Sequence, residues 1–111
     1  MRGKLFLFVF LVTSITGFSQ VGIGTTLPST SSQLEVTATN KGILIPRIAL
    51  TGTSDAVTIA NGNVTSLLVY NTATASDVVP GFYYWNGSKW SQVLNKDDIS
   101  ALDATNDAFN N

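Results

Sequence analysis

The chain has 111 residues, 44% of them hydrophobic, with a net charge of −1 and neither histidine nor cysteine. Those two absences remove the usual general base, the thiol nucleophile, the Ser-His-Asp triad, the commonest zinc ligands and any disulfide. All seven acids lie beyond residue 19, against only Lys41, Arg47, Lys89 and Lys96, so there is no basic patch and nucleic acid is not an expected partner.

The chain opens on Met1-Arg2-Gly3-Lys4, a short basic segment, followed by an unbroken apolar run from Leu5 to Val12. Gly17 and Ser19 are small residues at the −3 and −1 positions of a cleavage site. This pattern reads as a secretory signal over residues 1–19, with Gln20 beginning the mature chain. The apolar run is well short of the ~20 residues a spanning helix needs, so no membrane span is expected after cleavage. Residues 20–93 then read as one small β-rich module and residues 94–111 as an acidic tail.

Within the module, Gly22 and Gly24 alternate with Val21 and Ile23, which suits a short strand or tight turn with close backbone approach. No third glycine or Lys-Ser/Thr pair follows, so phosphate binding is not expected. Residues 33–39 alternate, with Leu34, Val36 and Ala38 on one side, as in a half-buried strand. Residues 43–50 form a second candidate strand, in which Pro46 lacks an N–H and points to a sheet edge or bulge. Arg47 beside it is expected to lay its stem over the sheet.

Residues 51–63 are small and polar and read as a long surface loop, with a turn signal at Asn61-Gly62. Residues 64–72 are a third strand with Leu68 and Tyr70 on one face and Leu67 and Val69 on the other. Apolar residues on both faces indicate a central strand, or one covered by a neighbouring chain. After Pro80-Gly81, the run Phe82-Tyr83-Tyr84-Trp85 meets Asn86-Gly87, the strongest short hairpin signal. A two-residue turn there sets Trp85 opposite Ser88, Tyr84 opposite Lys89 and Tyr83 opposite Trp90. Alternation puts Tyr83, Trp85, Trp90 and Gln92 on one face and Phe82, Tyr84, Lys89 and Val93 on the other.

In the tail, Asp97 or Asp98 is a candidate helix cap. Ile99, Leu102, Asn106 and Phe109 follow at heptad spacing, a possible oligomer seam with a polar residue to fix register. The pattern covers fewer than two heptads, so the tail reads either as the start of a coiled coil or as a frayed acidic end. Asp97, Asp98, Asp103 and Asp107 lack the spacing of a calcium loop and read as a solvated acidic face. Glu35, Asp55 and Asp77 form no evident catalytic pair. The residues point to no enzyme and no cofactor.

The motifs V-G-I-G-T-T-x-P at 21–28, Q-L-E-V within 32–36, T-N-K-G-I-L-I-P-R-I-A-L-T-G-T at 39–53, L-L-V-Y-N-T at 67–72 and P-G-F-Y-Y-W-N-G-S-K-W at 80–90 carry a resemblance. In this order they resemble the N-terminal module of secreted surface proteins of Gram-negative bacteria. The opening V-G-I-G-T unit is similar to a repeat in phage tail-fibre-like proteins, which often carry a C-terminal self-cleaving chaperone. The resemblance spans roughly Gln20 to Val93. It implies a β-rich, non-enzymatic, exported module of fibrous and trimeric proteins, and carries over no catalytic residue.

The expectation is therefore an all-β chain: a small antiparallel, hairpin-rich sheet domain, in one form an intertwined trimer, with a short helical or disordered C-terminal tail. Its first functional reading is a secreted structural or adhesive module, tail-fibre-like, whose partner is itself and whose place is the cell surface or the periplasm of a Gram-negative bacterium. The alternative is a carbohydrate-binding module presenting Tyr83, Trp85 and Trp90 as a platform to a glycan or other surface component. Its rival is that these rings form the core.

Overall fold

The computed structural model describes residue 17 and residues 19–100. Most of the expected signal segment, and Leu102, Asn106 and Phe109 of the tail, lie outside the described residues. The described chain is all-β apart from one short helical stretch at 96–100, and it divides into two compact units between Gly42 and Ile43.

The first unit holds β1 (Val21–Ile23) and β2 (Leu34–Val36), paired in parallel with Val21 opposite Leu34 and Ile23 opposite Val36. The pairing continues past both strands: the Val21 N–H donates to the Gln33 carbonyl at 2.8 Å and the Thr37 N–H to the Ile23 carbonyl at 2.8 Å. The connection at 24–33 is held by the Gln20 amide, which donates to the Ser29 and Ser32 carbonyls at 3.0 and 2.9 Å. Gly24 takes φ +78°, and a Cβ there would stand 2.1 Å from the Thr37 carbonyl oxygen. The close approach expected of the G-I-G stretch is thus real, and no other residue meets both conditions.

The second unit is a four-stranded sheet in the order β3 (Arg47–Ile48), β4 (Leu68–Asn71), β5 (Gly81–Trp85), β6 (Trp90–Gln92). β3 pairs with β4 in parallel, and β4–β5 and β5–β6 are antiparallel. β3 is an edge, as Pro46 requires. β4 is interior, as its two apolar faces require. The expected strand over 43–50 shrinks to two residues.

The hairpin register departs from expectation. Trp85 pairs with Trp90 rather than Ser88, and Tyr84 with Ser91. Asn86 is the cause. Its side-chain oxygen accepts from the Ser88 and Lys89 N–H groups, both at 2.9 Å, and its own N–H donates to the Lys89 carbonyl at 3.0 Å. The asparagine therefore closes a four-residue loop as a side-chain mimic of a turn, and only Gly87 takes positive φ. The slip is two residues, so every side chain keeps its expected face.

The core of this unit is Leu50, Val69, Val78, Tyr83 and Trp90. Two buried polar side chains tie loops to it. Asn71 accepts from the Leu50 and Ala73 N–H groups at 2.9 and 3.1 Å and donates to the Ala73 and Val79 carbonyls at 2.8 and 2.9 Å. Its full bonding capacity is used. Asp55 anchors the loop expected to lie at the surface. Its carboxylate accepts from the Thr58 hydroxyl and from the N–H groups of Thr51, Val57 and Thr58. Its backbone carbonyl accepts from the Trp90 indole at 2.8 Å and the Asn63 amide at 2.9 Å. A second carboxylate, Asp77, pins the same loop by accepting from the N–H and hydroxyl of Thr53.

At the end of the sheet, the expected cap at Asp97 or Asp98 moves to Asn95. Asn95 accepts from the Asp98 N–H at 2.9 Å while Asp98 accepts from the Asn95 N–H at 3.1 Å. This reciprocal pair is a capping box.

Burial pushes the Asp55 carboxyl up, but its hydrogen bonds from Thr58, Thr51 and Val57 outweigh that and hold it well below the ordinary carboxylate range. A depressed folded pKa contributes stability that is complete above about pH 4 and lost as pH falls through the folded value. The unfolding midpoint in urea, followed by Trp85 and Trp90 fluorescence at fixed protein concentration, should fall below about pH 4. Asp55→Asn should flatten that fall while lowering stability at pH 7 by about 2 kcal/mol. An unchanged acid limb would remove Asp55 as its source.

Asn71→Ala strands the buried Leu50 N–H, the part-buried Ala73 N–H and two carbonyls. It should cost on the order of 3 kcal/mol in the same urea titration. A loss under about 0.5 kcal/mol, as at ordinary surface positions, would show that these loops are held by other contacts.

Candidate functional site

The three rings of the possible glycan platform are brought onto one sheet face, and that face is the core. Tyr83 is 2% and Trp90 1% exposed. Tyr83 accepts the Val79 N–H through its hydroxyl at 3.2 Å, and Trp90 spends its indole N–H on Asp55. Trp85 is half-buried and meets Trp90 edge to face at 5.5 Å between ring centroids. A sugar ring has no access to two of the three, so they do not form a stacking platform. This corrects the glycan-contact reading of Tyr83, Trp85 and Trp90: the rings carry core packing, where aromatic pairs of this geometry are favourable.

No group of three or more His, Cys, Asp or Glu side chains placed to hold a metal occurs among the described residues. Asp97 and Asp98 are exposed near the start of the helical stretch. Of the tail seam, only Ile99 is described; it is exposed on that stretch. Among the described residues no helix is long and apolar enough to cross a membrane.

Among the described residues, each unit exposes an apolar face. On the sheet of the second unit, Leu68, Phe82, Tyr84 and Val93 are exposed on the face opposite the core. Tyr70 joins them by an edge-to-face contact with Phe82 at 5.1 Å. On the first unit, Val21 and Ile23 of β1 and Leu34 and Val36 of β2 share one face by parallel register. All four are exposed. Beside them an open groove runs along Ile23, Gly24 and residues 36–42.

The alternation of residues 33–39 anticipated an apolar face to be covered. Within the chain the order is reversed: Leu34 is 58% and Val36 38% exposed, while Glu35 between them is half-buried. Sequence periodicity identified the face, and no signal in one sequence could say that it stays exposed among the described residues. These exposed faces can do no covalent chemistry. What they can do is associate with another apolar surface.

Comparison with known proteins bears on that capacity. A family model described as phage tail like trimerisation region matches residues 22–107. No curated protein and no solved structure matches the chain. The match takes in both strand units and most of the tail, and so the chain belongs to the phage tail like trimerisation region family.

Proposed function

We propose that this chain is a non-enzymatic structural module that joins three copies of itself within an exported, tail-fibre-like surface protein. The observation that carries the reading is the family match over residues 22–107. The uncovered apolar faces on both strand units support it, because exposed contiguous apolar surface marks sites of association. Export rests on the basic, apolar and small-residue segments of residues 1–19. The cell surface of a Gram-negative bacterium is the location that this export signal and the tail-fibre likeness together favour. An adhesive role would follow from display there rather than from a site in this chain.

Two measurements test the reading. Expressed in a Gram-negative host, the exported protein should begin at Gln20 by intact mass; an uncleaved product starting at Met1 would remove the secretory assignment. Light scattering of the purified protein across a dilution series should give a three-chain mass that persists at micromolar concentration. A one-chain mass throughout would overturn trimerisation.

A further inference from the structure

We propose that the face formed by Val21, Ile23, Leu34 and Val36 is the seam at which copies of this chain meet. The inference rests on the trimer reading and deepens it by naming the surface.

The β1–β2 pair has a partly covered polar face, where Glu35 is half-buried and Gly22 exposed, and a bare apolar one, the reverse of a soluble sheet. On the polar side, a Cβ at Gly22 would stand 2.7 Å from both Pro28 Cγ and the Thr25 carbonyl oxygen, so Thr25 and Pro28 of the connection at 24–33 lie against that side. Glu35 is half-buried there as well. On the other side Val21 and Ile23 are 52% and 56% exposed. Parallel strands occur almost only where both faces are covered, and two strands alone are marginal in water.

The two units differ in what they lack. No residue from 19 to 42 is buried, so the described residues of the first unit form no core of their own. The second has one, and its exposed aromatic face is the solvent side that antiparallel sheets commonly keep. A missing cover is therefore a requirement of β1–β2 and only an option for the sheet.

The occupant is another copy of the same face. The trimerisation match begins at Gly22, inside β1. The only charge on the two strands, Glu35, points away from the face, so like faces can approach without like-charge repulsion. The register and connection that shape the face are set by contacts within one chain. Gln20 clamps the connection at two carbonyls, and the Gly24–Thr37 approach locks the end of the pair.

The test compares the two apolar faces in the exported protein. Ile23→Lys should reduce the mass by light scattering from three chains to one at micromolar concentration. Phe82→Ser, on the opposite unit's exposed face, should leave it at three. Trp85 and Trp90 fluorescence should stay as in the parent for Ile23→Lys, reporting an intact second unit.

Because a lysine could also unravel β1, a second probe reads proximity directly. The chain has no cysteine, so Ile23→Cys places one thiol per copy. Under mild oxidant it should form inter-chain disulfides at least tenfold faster than Phe82→Cys.

A parent that is monomeric overturns the trimer reading and the seam together. A trimeric parent with a trimeric Ile23→Lys variant overturns the seam alone. So does preferential cross-linking through Phe82→Cys, which would place the seam on the sheet.

Discussion

The second unit depends on one hydrogen bond in the core: the Trp90 indole N–H to the Asp55 backbone carbonyl at 2.8 Å. It joins the last strand of the sheet to a loop thirty-five positions earlier, and it buries the largest side chain of the core beneath that loop. The bond works only because the loop is already shaped, and the Asp55 carboxylate shapes it by gathering N–H groups from Thr51, Val57 and Thr58. One residue thus organises its own segment with its side chain and fastens that segment to the sheet with its backbone. Asn71 does the equivalent for the chain on the other side of β4, bonding to Leu50, Ala73 and Val79. With five buried apolar side chains and no cysteine, such saturated buried groups supply the specificity that a larger core or a disulfide would give.

Among its described residues, the first unit has no counterpart to any of this. Its polar bonds lie along the strand edges and in the connection, through Gln20, Ser29 and Ser32. They fix the shape of the β1–β2 pair but bury nothing. A unit that is well bonded and yet has no core is stable only as far as its apolar side finds a cover. On the trimer reading, the family match and this deficit describe the same requirement from two directions.

Much of this was legible in the sequence where the signal was local. The hairpin, the faces of β4, β5 and β6, the edge position forced by Pro46 and the tight approach at Gly22 and Gly24 all follow from side-chain alternation and backbone sterics. The departures share a cause, which is a side chain replacing a backbone partner. Asn86 turns the chain with its own oxygen, so the loop is longer than the Asn-Gly pair implies. Asn95, not an aspartate, caps the helical stretch. Asp55 makes a polar loop into a lid on the core, although residues 51–63 carry every mark of a solvent loop. Hydropathy patterns cannot register such bonds, because they average over the atoms that make them. Parallel pairing of β1 with β2 was equally out of reach, since it is closed across a connection with no periodic signal of its own.

The distribution of side chains between the units has a physical logic. Tyr83 and Trp90 of the hairpin fill a core inside one chain, with Trp85 packed against it, and their polar tips reach fixed partners at Val79 and Asp55. The β1–β2 face instead carries only Val, Ile and Leu, with no polar atom to satisfy. Branched aliphatic side chains have few rotamers, so packing them costs little conformational entropy. On the trimer reading, three such faces would interlock about an axis without any hydrogen bond having to find its partner there. On the trimer reading, a sequence that buries Tyr83 and Trp90 and leaves Val21, Ile23, Leu34 and Val36 uncovered separates the work of folding one chain from the work of joining several. Each can then be weakened without directly breaking the other.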